Sequence, residues 1–265
     1  MKKLLICMIC AALFMACNSN DEKATATNNP VSKEQELKNA VAQYPDSSLL
    51  LENLVQYYRE GGDYDNAIAT INQQLAKDSN NPRSWDIKAT LHYEDGDTAQ
   101  AIRAFEKAID IIPEPQLIIS LGSLYAMTKN PNALVMADAL LVGSKAQADK
   151  EAYFIKGLYY SYINEKEKAI PFFDKSLAIN YSFMDAYREK SIALYDLGRY
   201  DEALKVLDKA ITLQNNFDEG YYYRGQCLEK LNRPAEAIEE YQKALMYDPE
   251  YLQAKDALAR LGIKS

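Results

Sequence analysis

Five segments of this chain carry an alanine in one common frame: DYDNAIATINQQL at 63, DTAQAIRAFEKAI at 97, EKEKAIPFFDKSL at 165, RYDEALKVLDKAI at 199 and RPAEAIEEYQKAL at 233. The alanines are Ala67, Ala101, Ala169, Ala203 and Ala237, spaced 34, 68, 34 and 34 residues apart, so one further copy is hidden in the middle. A unit of that length cannot bury its apolar face alone, and its copies must stack to share a continuous core. The period therefore excludes a fold with one central core.

Within each unit the apolar residues recur at three and four, the signature of one face of an α-helix. Twelve residues before each alanine stands a mostly small residue (Val55, Ala89, Gly157, Ser191, Gly225), and four before that a large one (Leu51, Trp85, Tyr153, Tyr187, Tyr221). Gly61-Gly62, Gly96 and Gly198 fall between the two halves and mark a turn. Each unit thus reads as two helices around a tight turn, with small residue expected to face small residue where the pair crosses. Pro113 and Pro249 close units.

The pattern resembles the tetratricopeptide repeat, whose 34-residue motif runs W-x2-L-G-x2-Y, then A-x3-F and a final proline. The resemblance spans about residues 33–262 and implies an all-α, right-handed superhelical solenoid. The hidden third unit is QLIISLGSLYAMTKNPNALVMADALLVG: Leu121-Gly122 and Tyr125 keep the pattern, but Ala133 follows Gly122 by eleven residues instead of twelve. Extra residues around Gly143–Lys150 make up the difference. KEQELKNAVAQYPDS reads as an opening helix that lacks its partner, and EYLQAKDALARLGI as a closing helix, giving one opening helix, six pairs and one cap over 33–265.

Met1-Lys2-Lys3 and the apolar run Leu4–Ala16 form a charged n-region and an h-region too short to span a bilayer. Leu13-Phe14-Met15-Ala16-Cys17 resembles the lipobox of bacterial lipoproteins. This implies a signal peptide at 1–16 and acylation of Cys17, with palmitate-type chains holding the protein on a membrane, most simply the outer membrane. Residues 17–32 contain one large aliphatic, Val31, and are expected to be a tether with a reach of roughly 20 Å.

Removing the signal takes Lys2 and Lys3 from the 30 basic residues and leaves 28 against 38 acidic ones, a net charge of −10. That balance and the lack of a basic stripe argue against nucleic-acid binding. Cys227 then has no disulfide partner and reads as a buried inert thiol. His92 replaces the first-helix tyrosine of the second unit and reads as packing. Asp201-Glu202 and Glu239-Glu240 are expected to be solvated faces. No phosphate loop, paired Cys/His set or Ser-His arrangement appears, so no cofactor, metal or catalytic activity is expected.

The family resemblance also implies that the first helices line a concave groove. Its fifth and ninth positions here are Glu52 and Gln56, Asp86 and Thr90, Ile119 and Ser123, Phe154 and Leu158, Arg188 and Ile192, and Tyr222 and Gln226, with Tyr162 and Tyr195 nearby. The groove is expected to begin acidic and become apolar, and to dock a peptide segment or helix of a partner protein. The places from which some members hold a C-terminal carboxylate are occupied by Glu52, Asp86 and Phe154. Glycan capture through exposed tyrosines is the alternative.

Overall fold

The computed structural model describes residues 32–143 and 148–263. The signal segment, Cys17 and the tether up to residue 31 lie outside the described residues. Those described form fourteen helices and no strand, wound as a right-handed superhelical solenoid. Helix α1 (Lys33–Gln43) opens it and α14 (Leu252–Arg260) closes it. Between them stand six pairs: α2 (Ser48–Glu60) with α3 (Tyr64–Lys77), α4 (Pro82–Glu94) with α5 (Thr98–Ile111), and α6 (Pro115–Met127) with α7 (Asn132–Gly143). The other three are α8 (Asp149–Tyr162) with α9 (Lys166–Ile179), α10 (Met184–Asp196) with α11 (Tyr200–Leu213), and α12 (Asp218–Lys230) with α13 (Pro234–Tyr247). No helix of the described residues is long and apolar enough to cross a membrane.

The turn inside each pair has one recurring geometry. Gly62, Gly96, Lys129, Asn164, Gly198 and Asn232 all adopt positive φ, between 60° and 85°. The next residue donates its N–H to the carbonyl five positions back, as from Asp63 to Tyr58 (2.9 Å) and from Arg233 to Leu228 (2.9 Å), which satisfies carbonyls that the helix end leaves open. In the third pair the left-handed residue is Lys129, seven after Gly122 as in the other pairs, so the missing residue falls later, between that turn and Ala133. Ser32 is not tether: its hydroxyl accepts the Gln35 N–H at 3.2 Å and caps α1.

Two of the crossings depart from a small-against-small contact. A Cβ at Gly157 would lie 2.5 Å from the Phe173 ring, and one at Gly225 would lie 2.5 Å from the Tyr241 ring. In these two pairs the glycine of the first helix makes room for the aromatic of the second, four residues beyond the alanine. Phe173 and Tyr241 are fully buried there. Cys227 is buried, and burial pushes its thiol up to about 12. His92 is half-buried, and burial lowers its pKa. Asp201, Glu202 and Glu239 face water, but Glu240 does not. Only 5 % of it is exposed, because Arg224 (3.1 Å) and Lys243 (2.7 Å) cover its carboxylate.

Candidate functional site

Among the described residues, first helices of successive pairs build a series of clefts along the inner face, four of which hold the residues of interest. The first, of 450 Å³, collects Glu52, Gln56 and Asp86 with Arg59, Arg83 and Thr90. Thr90 also lines the second, of 300 Å³, with Tyr93, Ile119, Ser123 and Met127. The third and largest, of 610 Å³, is lined by Tyr162, Glu189, Ile192 and Tyr223 among others. Tyr195 and Gln226 line the fourth, of 320 Å³, beside Glu229, Lys230 and Arg260.

At Glu52, Phe154, Arg188 and Tyr222 the fifth position of the first helix joins neighbouring repeats. Glu52 accepts three hydrogen bonds from Arg83, 31 residues on, at 2.9, 3.1 and 2.8 Å. Arg188 repeats the arrangement with Glu219, also 31 residues on, at 2.9 Å. Where the fifth position is aromatic it meets the residue that precedes the next first helix: Phe154 against Phe183 at 5.0 Å, and Tyr222 against Tyr251 at 5.1 Å. Tyr222 also accepts the side-chain amide of Gln226 at 2.7 Å. Phe154, Arg188 and Tyr222 therefore line none of the four clefts and serve as couplings between units. Leu158 is turned into the core with 6 % exposure, because its neighbours there include Tyr125 and Leu124 of the preceding pair.

Glu52 remains in the first cleft with its charge answered by Arg83, so the acidic character of that end rests mainly on Asp86. Its carboxyl is pushed up by burial, with Arg83 opposing the shift. Arg188 is shared among Glu219 at 2.9 Å, Asp185 at 3.0 Å and Glu189 at 3.2 Å. Burial works against its charge, yet these carboxylates hold its pKa above the usual value.

Two lining residues were not visible from the groove positions. Glu189 and Tyr223 stand at the sixth position, three residues before Ile192 and Gln226. Glu189, Ile192 and Asp196 fall at i, i+3 and i+7 along α10 and all face the third cleft. Stepping back three residues from each ninth position would have found Glu189 and Tyr223, since that spacing stays on one helix face. Tyr93 escaped too. The phenol of Tyr162 is pushed up by burial first, then by Glu189 and by Tyr93. Among the described residues no group of three or more His, Cys, Asp or Glu could hold a metal ion.

An all-α solenoid with a cleft-lined inner face is the architecture of a protein–protein interaction scaffold. Tetratricopeptide repeat profiles match residues 34–82, 82–115, 156–218 and 188–257, and the chain belongs to this family. No curated protein matches it. Among solved structures it is similar to a tetratricopeptide repeat protein from Parabacteroides merdae, with a TM-score of 0.71 and 20% identity over 85% of this chain and 90% of that one. It is also similar to PilW, a type IV pilus biogenesis factor (TM-score 0.64, 20% identity, 80% of this chain and 98% of that one). A third is the APC/C assembly Cut9–Hcn1 (TM-score 0.59, 19% identity, 86% of this chain and 46% of that one). At these identities the likeness speaks for the fold.

Proposed function

We propose that this chain is a non-catalytic scaffold of a bacterial envelope, anchored through lipid on Cys17, whose inner face docks an extended segment or helix of a partner protein. The observation that supports the docking face is the run of apolar side chains left open along it: Tyr93, Met127 and Tyr162 stay 46%, 37% and 39% exposed. All three lie in or beside consecutive clefts. Exposed apolar groups gathered in a concavity mark contact surfaces more often than the same groups scattered singly. The anchor rests on the Ala16-Cys17 border and the run before it. The outer membrane is the location proposed with that anchor.

A photocrosslinking residue placed in the living cell at Ile119 or Ile192, on the inner face, and at Asp201, on the outer face, tests the docking surface. Discrete crosslinked proteins from the two inner positions, absent at Asp201, are the expected result. Crosslinks from Asp201 alone would move the contact surface to the second helices.

A further inference from the structure

In the third cleft one buried carboxylate has only a share of a cation. Glu189 stands in it at the wall formed by α10, with its side chain 14% exposed. One of its carboxylate oxygens accepts the Nε–H of Arg188 at 3.2 Å, and that guanidinium is divided among three carboxylates: Glu189, Asp185 and Glu219. Lys166 lines the same cleft, but its ammonium is taken by Asp196 at 2.8 Å and by the Ser161 hydroxyl at 3.0 Å. Lys129, also lining it, is exposed to water. The lining therefore balances two carboxylates, Glu189 and Asp196, against two ammonium groups, Lys129 and Lys166, and Glu189 is left with only a share of the Arg188 guanidinium.

Aromatic rings complete the cleft. Tyr162 comes from α8 and Tyr223 from α12, so the two phenols approach Glu189 from the pairs before and after its own. Both phenols have raised pKa values, Tyr223 up to about 12, with burial as the main cause and the Glu189 carboxylate next. The carboxylate and the two rings thus share one small space. A buried carboxylate beside aromatic faces suits a cation, which gains charge pairing from the first and cation–π contact from the second. The volume of 610 Å³ admits a long side chain with its flanking backbone.

We propose that the third cleft is a receptor for a basic side chain, an arginine or lysine carried by the docked segment, with Glu189 as its counter-charge and Tyr162 and Tyr223 as its walls. The assignment rests on the reading of the inner face as a docking surface and adds the chemistry of the anchor residue. It reverses the polarity of the carboxylate-holding sites known in this family, whose positions here carry Glu52, Asp86 and Phe154. Met127 of the apolar second cleft, which Ile119 also lines, stands two residues before Lys129 of the third. A segment pairing a basic residue with an apolar one therefore fits both.

Selection of a random heptapeptide library on the full chain in detergent tests this. Sequences enriched in Arg or Lys are expected. A fluorescent copy of an enriched peptide should lose at least tenfold in affinity when its arginine is replaced by citrulline, and Glu189→Gln should abolish that difference. The substitution keeps the hydrogen-bonding shape, and melting curves confirm that it folds. Enrichment of peptides without basic residues, displaced by Ile119→Asp, would overturn the cation receptor while leaving the docking face in place. No enrichment, or binding indifferent to both Glu189→Gln and Ile119→Asp, would overturn both.

Discussion

The rings of Phe154 and Phe183 lie 5.0 Å apart, and 68 residues further along the same contact recurs between Tyr222 and Tyr251 at 5.1 Å. In both cases the first ring stands at the fifth position of a first helix and the second immediately before the next first helix. The repeat therefore encodes its own coupling to the following unit. At Glu52 with Arg83 and at Arg188 with Glu219 the coupling is ionic instead.

Phe154 is consequently a structural residue first. Phe154→Ala is expected to cost about 2–4 kcal/mol, below the roughly 3–5 of a fully buried phenylalanine because the ring keeps some exposure. Denaturant melts of the variant decide this, and a change within 0.5 kcal/mol would mean that the ring does not couple the repeats. Loss of binding in such a variant has to be read beside its stability.

Gly157 and Gly61 make a contrasting pair. Gly157→Ala should cost about 1–3 kcal/mol, since the added Cβ would stand 2.5 Å from the buried Phe173 ring. At Gly61 the backbone has φ −81° and an added Cβ would meet only carbonyl oxygens at 3.5 Å and beyond. Gly61→Ala should therefore be neutral, or stabilise by about 0.4–1 kcal/mol through the unfolded state. Thermal melts that move both variants by the same amount in the same direction would contradict the packing described.

Glu189 predicts a pH-dependent difference. Its carboxyl is pushed above the ordinary value of 4.5, mainly by burial, with Arg188 acting against the shift. A raised folded pKa gives a stability contribution that is complete below 4.5 and is lost as the pH climbs through the folded value. Glu189→Gln, which cannot ionise, should match the parent near pH 4 and melt higher near pH 7–8. Melting curves at both pH values check it, and a gap that does not change with pH would refute the assignment. A bound cation should narrow the gap by stabilising the charged carboxylate of the parent.

Cys17→Ser should leave the chain without lipid. Metabolic labelling with an alkyne fatty acid is expected to mark the parent and not the variant. Label kept by the variant would remove the anchor from the proposed function.

Much of the architecture follows from sequence periodicity because each helix pair contacts mainly its neighbours in the chain. The 34-residue spacing of Ala67, Ala101, Ala169, Ala203 and Ala237 marked the repeats. The positive-φ turns at Gly62, Gly96 and Gly198 fell where glycines showed them, although Lys129, Asn164 and Asn232 adopt the same geometry without one. The inner face was legible by helix position, but not by role. Glu52, Phe154, Arg188 and Tyr222 share one position, and whether each is spent on the next repeat depends on a residue 29 or 31 places away. The third cleft is a property of superhelical twist, which carries Tyr162, Glu189 and Tyr223 from three successive pairs into one space. Local sequence set each helix and its turn, because those rest on hydrogen bonds and contacts a few residues apart. Tertiary structure decided which side chains remained free on the inner face, because that depends on the angle at which one pair packs on the next.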